Sequence, residues 1–102
     1  MKKENLGFVR VASAIPVVEI ANPKVNADRI IALLGKAAKE NVKIVCFPEL
    51  CLTGYTCADL FYQRTLIEET RRQLCRVNDE ASKLGIFALV GAPYYRDGKL
   101  YN

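Results

Sequence analysis

One stretch combines a proton-handling side chain with the pattern of a ligand-binding edge: Phe47-Pro48-Glu49-Leu50-Cys51-Leu52-Thr53-Gly54-Tyr55. A carboxylate directly after an apolar strand run lies at the carboxyl edge of the sheet, where open α/β folds bind their ligands. The neighbours of Glu49 are apolar, so desolvation is expected to raise its pKa and make it a better proton acceptor near neutral pH. A glutamate in this place could equally cap a nearby helix or pair with a surface lysine, and position alone leaves the two readings level. Tyr55, after a glycine in the same loop, is a candidate for lining a substrate pocket, although loop tyrosines also pack over sheet edges. The chain has no histidine, which removes Ser-His-Asp and Cys-His catalysis within it and the commonest metal ligand. Cys46, Cys51, Cys57 and Cys75 form no C-x-x-C pair, so a zinc site would need all four sulfurs at unusual spacing, and no metal is expected. No glycine-rich phosphate loop of either usual type is present, so no cofactor site is expected within these residues.

The elements that must position Glu49 follow from periodicity. Residues 8–15 are rich in β-formers and end at Pro16, a first strand. Asn22-Pro23 and then Asn26 offer two successive helix starts. Ile30, Leu33, Leu34, Ala37 and Ala38 recur at helical spacing, with Gly35 a weak point among them. Residues 42–47 are almost continuously apolar, as in a parallel strand covered on both faces. After the Glu49 loop a long helix is predicted over 63–84, with Gly85 as its stop. Asp59 is a candidate cap and Phe61 and Tyr62 candidate anchors for its start. Its apolar stripe is Ile67, Leu74, Val77, Ala81 and Leu84, and Glu68 with Arg72 and Arg76 with Glu80 stand as i,i+4 pairs on the wet side. A third strand over 86–91 leads to a hairpin turning at Arg96-Asp97-Gly98-Lys99. The order β-α-β-α-β plus a hairpin argues an α/β layered fold. Because the second hairpin strand has scarcely begun at Asn102, the domain is expected to continue beyond it.

Composition narrows the partners. The net charge of +4 comes from scattered Lys and Arg, with no run dense enough to follow a phosphate backbone, so nucleic acid is not an expected partner. Lys2 and Lys3 ahead of Ala12-Ser13-Ala14 loosely mimic a signal peptide, but Glu4, Asn5 and Arg10 break the pattern. No segment is long enough to span a membrane. A cytoplasmic protein with reduced, mostly buried thiols is expected.

A strand ending in F-P-E-L and running into L-T-G-Y resembles the first catalytic motif of the nitrilase, or carbon–nitrogen hydrolase, superfamily. The continuation Cys57-Ala58-Asp59-Leu60-Phe61 is similar to the glutaminase domain of glutamine-dependent NAD synthetases more than to free-standing amidases. Phe8-Val9-Arg10-Val11-Ala12, Val90-Gly91-Ala92-Pro93 and Asp97-Gly98-Lys99-Leu100-Tyr101-Asn102 fit the same family, so the resemblance runs the length of the chain. It implies that residues 1–102 are the N-terminal portion of such a domain, with a partial α-β-β-α sandwich fold. It further implies amide hydrolysis by a Cys–Glu–Lys triad, with Glu49 matching the general base and the Lys and Cys lying beyond Asn102. Lys99 and Cys51 match neither, and Cys46, Cys51 and Cys57 are given packing roles. Also implied are L-glutamine as substrate, ammonia transfer to a C-terminal synthetase domain of the same chain, a homo-oligomer, and ATP and Mg²⁺ acting in that other domain. Residues 1–102 alone are expected to be inactive, with one sheet face uncovered. A stand-alone amidase acting on a small amide and a non-catalytic α/β interaction module are the alternatives.

Overall fold

The computed structural model describes residues 7–55 and 63–102. The expectations placed on Lys2, Lys3, Glu4, Asn5, Cys57, Ala58, Asp59, Leu60, Phe61 and Tyr62 lie outside the described residues. Along the chain run β1 (Val11–Ser13), α1 (Pro23–Lys39), β2 (Ile44–Cys46), α2 (Arg64–Leu84), β3 (Phe87–Leu89), β4 (Tyr94–Arg96) and β5 (Lys99–Tyr101). This is the predicted order. β1, β2 and β3 form a parallel sheet with β2 in the centre, and β4 pairs with β5 as an antiparallel hairpin. Strands laid down in the order β1-β2-β3, each through a crossover of the usual hand, put both helices on one face.

The register shows which face. Ala12, Val45 and Ala88 stand in one row, with Val45 fully buried and the two alanines packed against the core. Ala27, Ile30 and Leu34 of α1 and Val77 and Ala81 of α2 close over that row. Burying a side chain of the size of Ile30 or Leu34 contributes about 1.5–3 kcal/mol. The opposite face carries Val11, Phe87 and Leu89, all largely exposed. The apolar run 42–47 therefore has one covered face among the described residues, and the expectation of two is not met there. Its apolar character matches a surface that awaits cover.

The competition between two starts for α1 goes to the first. Asn22 caps it, its side-chain oxygen accepting from Val25 N at 3.3 Å, and Pro23 takes the first turn, where its missing N–H costs nothing. Lys36 and Lys39 fall in the last turn, where cations oppose the helix dipole. Gly35 has no close packing contact to explain it: a Cβ there would meet nothing within 4 Å.

α2 ends at Gly85, as expected. Its buried stripe includes Leu66 and Thr70, which the spacing argument missed, beside Val77 and Ala81. The Thr70 hydroxyl donates to Leu66 O at 2.7 Å, so its burial leaves no orphaned polar group. Neither predicted i,i+4 pair is the one formed. Glu68 meets Arg64, Arg72 meets Glu69, Glu80 meets Lys83, and Arg76 reaches across to Asp28 on α1. Long flexible side chains choose among several partners three and four residues away, and Arg76 finds its partner on the other helix. No helix among the described residues is long and apolar enough to cross a membrane.

Candidate active site

Glu49 follows β2, the central strand, by three residues and stands at the carboxyl edge of the parallel sheet. Pro48 has no N–H to continue a ladder, and the chain turns directly after it. Leu50 takes a left-handed conformation (φ 52°), uncommon for a branched side chain. Its carbonyl accepts from Gly54 N at 2.8 Å and Thr53 N at 3.2 Å, which closes the turn. Leu50, Cys51 and Leu52 point into the protein, at 8%, 2% and 0% exposure.

Three neighbours hold this turn. From the β1–α1 connection, Ala21 N donates to Thr53 O at 2.7 Å. Gly54 sits beside the same connection with φ 92°, and a Cβ there would be strained and only 3.2 Å from Ile20 Cα. From α1, the fully buried Asn26 donates through Nδ2 to Leu52 O (3.0 Å) and Glu19 O (2.7 Å), while its Oδ1 accepts from Glu19 N (2.8 Å). Asn26 is thus a clamp between three chain segments and not a helix cap. From the segment after β3, Gly91 O accepts from Leu52 N at 3.2 Å. A Cβ on Gly91 would lie 2.6 Å from Pro48 O and 2.8 Å from Glu49 C, so only glycine lets this segment pack against the backbone of Glu49.

The carboxylate itself is exposed, which corrects the expectation of apolar surroundings. The apolar residues next to it in sequence turn inward. Its partner is neither a helix end nor a lysine: Glu49 Oε1 accepts from Asn102 Nδ2. What results is an acceptor side chain displayed from a fixed backbone, the geometry a general base requires. Tyr55, also exposed, stands beyond Gly54.

The cysteines divide. Cys51 is buried in the core, its Sγ donating to Gly91 O at 3.8 Å, and burial pushes its thiol pKa up. A thiol held protonated is a poor nucleophile, in keeping with a packing role. Cys46 and Cys75 are free and exposed, contrary to the expectation of mostly buried thiols. Alternation along β2 turns Cys46 to the uncovered face. Among the described residues no three His, Cys, Asp or Glu side chains gather to hold a metal. A groove between the start of α2 and the hairpin, lined by Arg64, Ile67, Arg71, Tyr94, Tyr95 and Leu100, does not include Glu49. Asn26, Gly91 and Asn102 had no site role in the sequence reading. The one available signal is Gly91 itself, a glycine at the end of the predicted strand 86–91, since glycine in a strand pattern often marks a close backbone approach.

The family model described as carbon-nitrogen hydrolase matches residues 10–102. The chain is 30% identical over 96 residues to a glutamine-dependent NAD(+) synthetase of Mycobacterium leprae, covering 94% of this chain and 14% of the relative. It is 36% identical over 99 residues to the protein of that name from Xylella fastidiosa, covering 93% of this chain and 17% of the relative. The crystal structure of a glutamine-dependent NAD(+) synthetase from Cytophaga hutchinsonii superposes with a TM-score of 0.85 at 29% identity, over 92% of this chain and 16% of that one. The chain thus spans about a sixth or less of the length of these relatives. Its mixed parallel sheet and helices are those of their nitrilase-like portion, and the chain belongs to the carbon–nitrogen hydrolase family.

Proposed function

We propose that Glu49 is the general base of an amide hydrolysis and that residues 1–102 are the N-terminal part of a glutaminase domain. Glu49 takes the proton of an attacking thiol and returns it to the departing nitrogen, which releases ammonia and leaves a thioester. Glu49 then takes a proton from the water that hydrolyses the thioester, releasing glutamate and the free thiol. The thiol and the lysine that stabilises the tetrahedral intermediate belong, by the family resemblance, to segments outside this chain. The ammonia serves a synthetase domain of the same polypeptide that converts deamidated NAD to NAD with ATP and Mg²⁺. A cytoplasmic, homo-oligomeric enzyme belongs to the same reading. The observation that carries it is the position of Glu49: on a turn pinned from three sides, at the carboxyl end of the central strand, within a family match of residues 10–102.

The stand-alone amidase and the non-catalytic module are less favoured, because the relatives found are glutamine-dependent NAD synthetases. The complete polypeptide carrying residues 1–102, given glutamine, ATP, Mg²⁺ and deamidated NAD, is expected to form NAD with release of glutamate. Hydrolysis of small amides with no glutamine-dependent NAD formation would support the stand-alone amidase instead. Residues 1–102 alone are expected to release no ammonia from glutamine, since one member of a triad cannot form an acyl-enzyme.

A further inference from the structure

The turn fixes the backbone of Glu49 but leaves its side chain on an exposed surface, where a glutamate keeps several rotamers. One group addresses that freedom. Asn102, 53 residues further on, donates its side-chain amide to Glu49 Oε1. The route by which it arrives is built into the fold. Gly91 packs against the backbone of Glu49, the chain leaves through β4, reverses at Asp97-Gly98, and returns through β5. The register pairs Tyr94 with Tyr101, so Asn102 comes back opposite Pro93, beside the segment that already touches the Glu49 turn.

We propose that Asn102 is a positioning residue for Glu49, holding one carboxylate oxygen so that Oε2 is presented to the reacting proton; this rests on the reading of Glu49 as general base. An amide N–H to a carboxylate is a charge-assisted hydrogen bond, stronger and more directional than one between neutral groups. The amide cannot itself titrate, so it orients the base without competing for the proton. The hairpin thereby acquires a purpose its exposed tyrosines do not supply: it is the arm that carries the amide back to the base.

The test uses the complete polypeptide carrying residues 1–102, with glutamine hydrolysis as the readout and the thermal midpoint as a control for folding. Asn102→Ala is expected to lower kcat roughly tenfold with KM changed by less than about twofold, the pattern of a lost transition-state interaction. Asn102→Asp keeps the shape but replaces the donor with a like charge, and is expected to lose more, on the order of a hundredfold. If the alanine variant proves unstable, the aspartate variant, equal in shape, carries the comparison. Activity of Asn102→Asp equal to or above that of Asn102→Ala would show that Asn102 acts by shape and would overturn the proposal, as would near-normal kcat in both. Glu49→Gln separates the two ideas. If it is inactive while the Asn102 variants are normal, only the role of Asn102 falls. If it is itself near normal, the general-base reading falls and takes the positioning role with it.

Discussion

Glu49 is displayed from a backbone that Ala21, Asn26 and Gly91 hold from three directions, so changes remote from its carboxylate should reach it. Gly91→Ala forces a methyl group into the carbonyl of Pro48. Overpacking of this kind costs about 1–3 kcal/mol, and the strain falls on the turn that carries Glu49. Chemical denaturation of residues 1–102 should show that loss, and the variant complete polypeptide should hydrolyse glutamine more slowly. Unchanged stability would mean that the Glu49 turn yields easily. Cys51 gives a pH prediction with a definite sign. Burial raises its thiol pKa in the folded chain above the unfolded value. Its contribution is complete below the unfolded pKa and is lost as pH rises through the folded one. Stability should therefore fall on the alkaline side, and Cys51→Ala should make that fall shallower; equal slopes would contradict the assignment. At this scale the sequence disclosed types more readily than surroundings. F-P-E-L marks Glu49 as a candidate proton acceptor, but its exposure is not legible there, because the direction in which Leu50, Cys51 and Leu52 turn depends on a left-handed Leu50. The clamp role of Asn26 was hidden for a similar reason: its partner Leu52 is 26 residues away.

The elements themselves were legible wherever a local rule decided them. Gly85 ended α2, and Asp97-Gly98, with φ 52° and 76°, made the hairpin turn that the dipeptide predicts. Where two local rules competed, as at Asn22 and Asn26, only the tertiary partners settled the choice. At Arg76 a reading confined to one helix misses Asp28 on the other, while the remaining pairs of α2 stay within it with other partners. Gly35 is an element-scale liability with no packing reason behind it. Gly35→Ala should stabilise α1 by roughly 0.5–1 kcal/mol, as a rise in the urea midpoint with an unchanged m-value. A destabilised variant would reveal a constraint on Gly35 that its open surroundings do not suggest.

At the scale of the described chain, the sheet has one face closed by α1 and α2 and another that exposes Val11, Phe87 and Leu89. Contiguous apolar surface of this kind drives association. Residues 1–102 are expected to elute as more than a monomer in size-exclusion chromatography, and Phe87→Lys should shift them toward the monomer. A monodisperse monomer without that change would count against an uncovered face in solution. Residues 42–47 read as doubly buried from composition alone, which does not show that one face of their strand stays open among the described residues. The functional reading depends on Glu49 more than on any of these features. The most direct measurement is the rate of glutamate release from glutamine by the complete polypeptide and by its Glu49→Gln variant, at equal stability. Loss of several orders of magnitude is the predicted result. Near-normal turnover in Glu49→Gln would make Glu49 a structural residue and contradict the account.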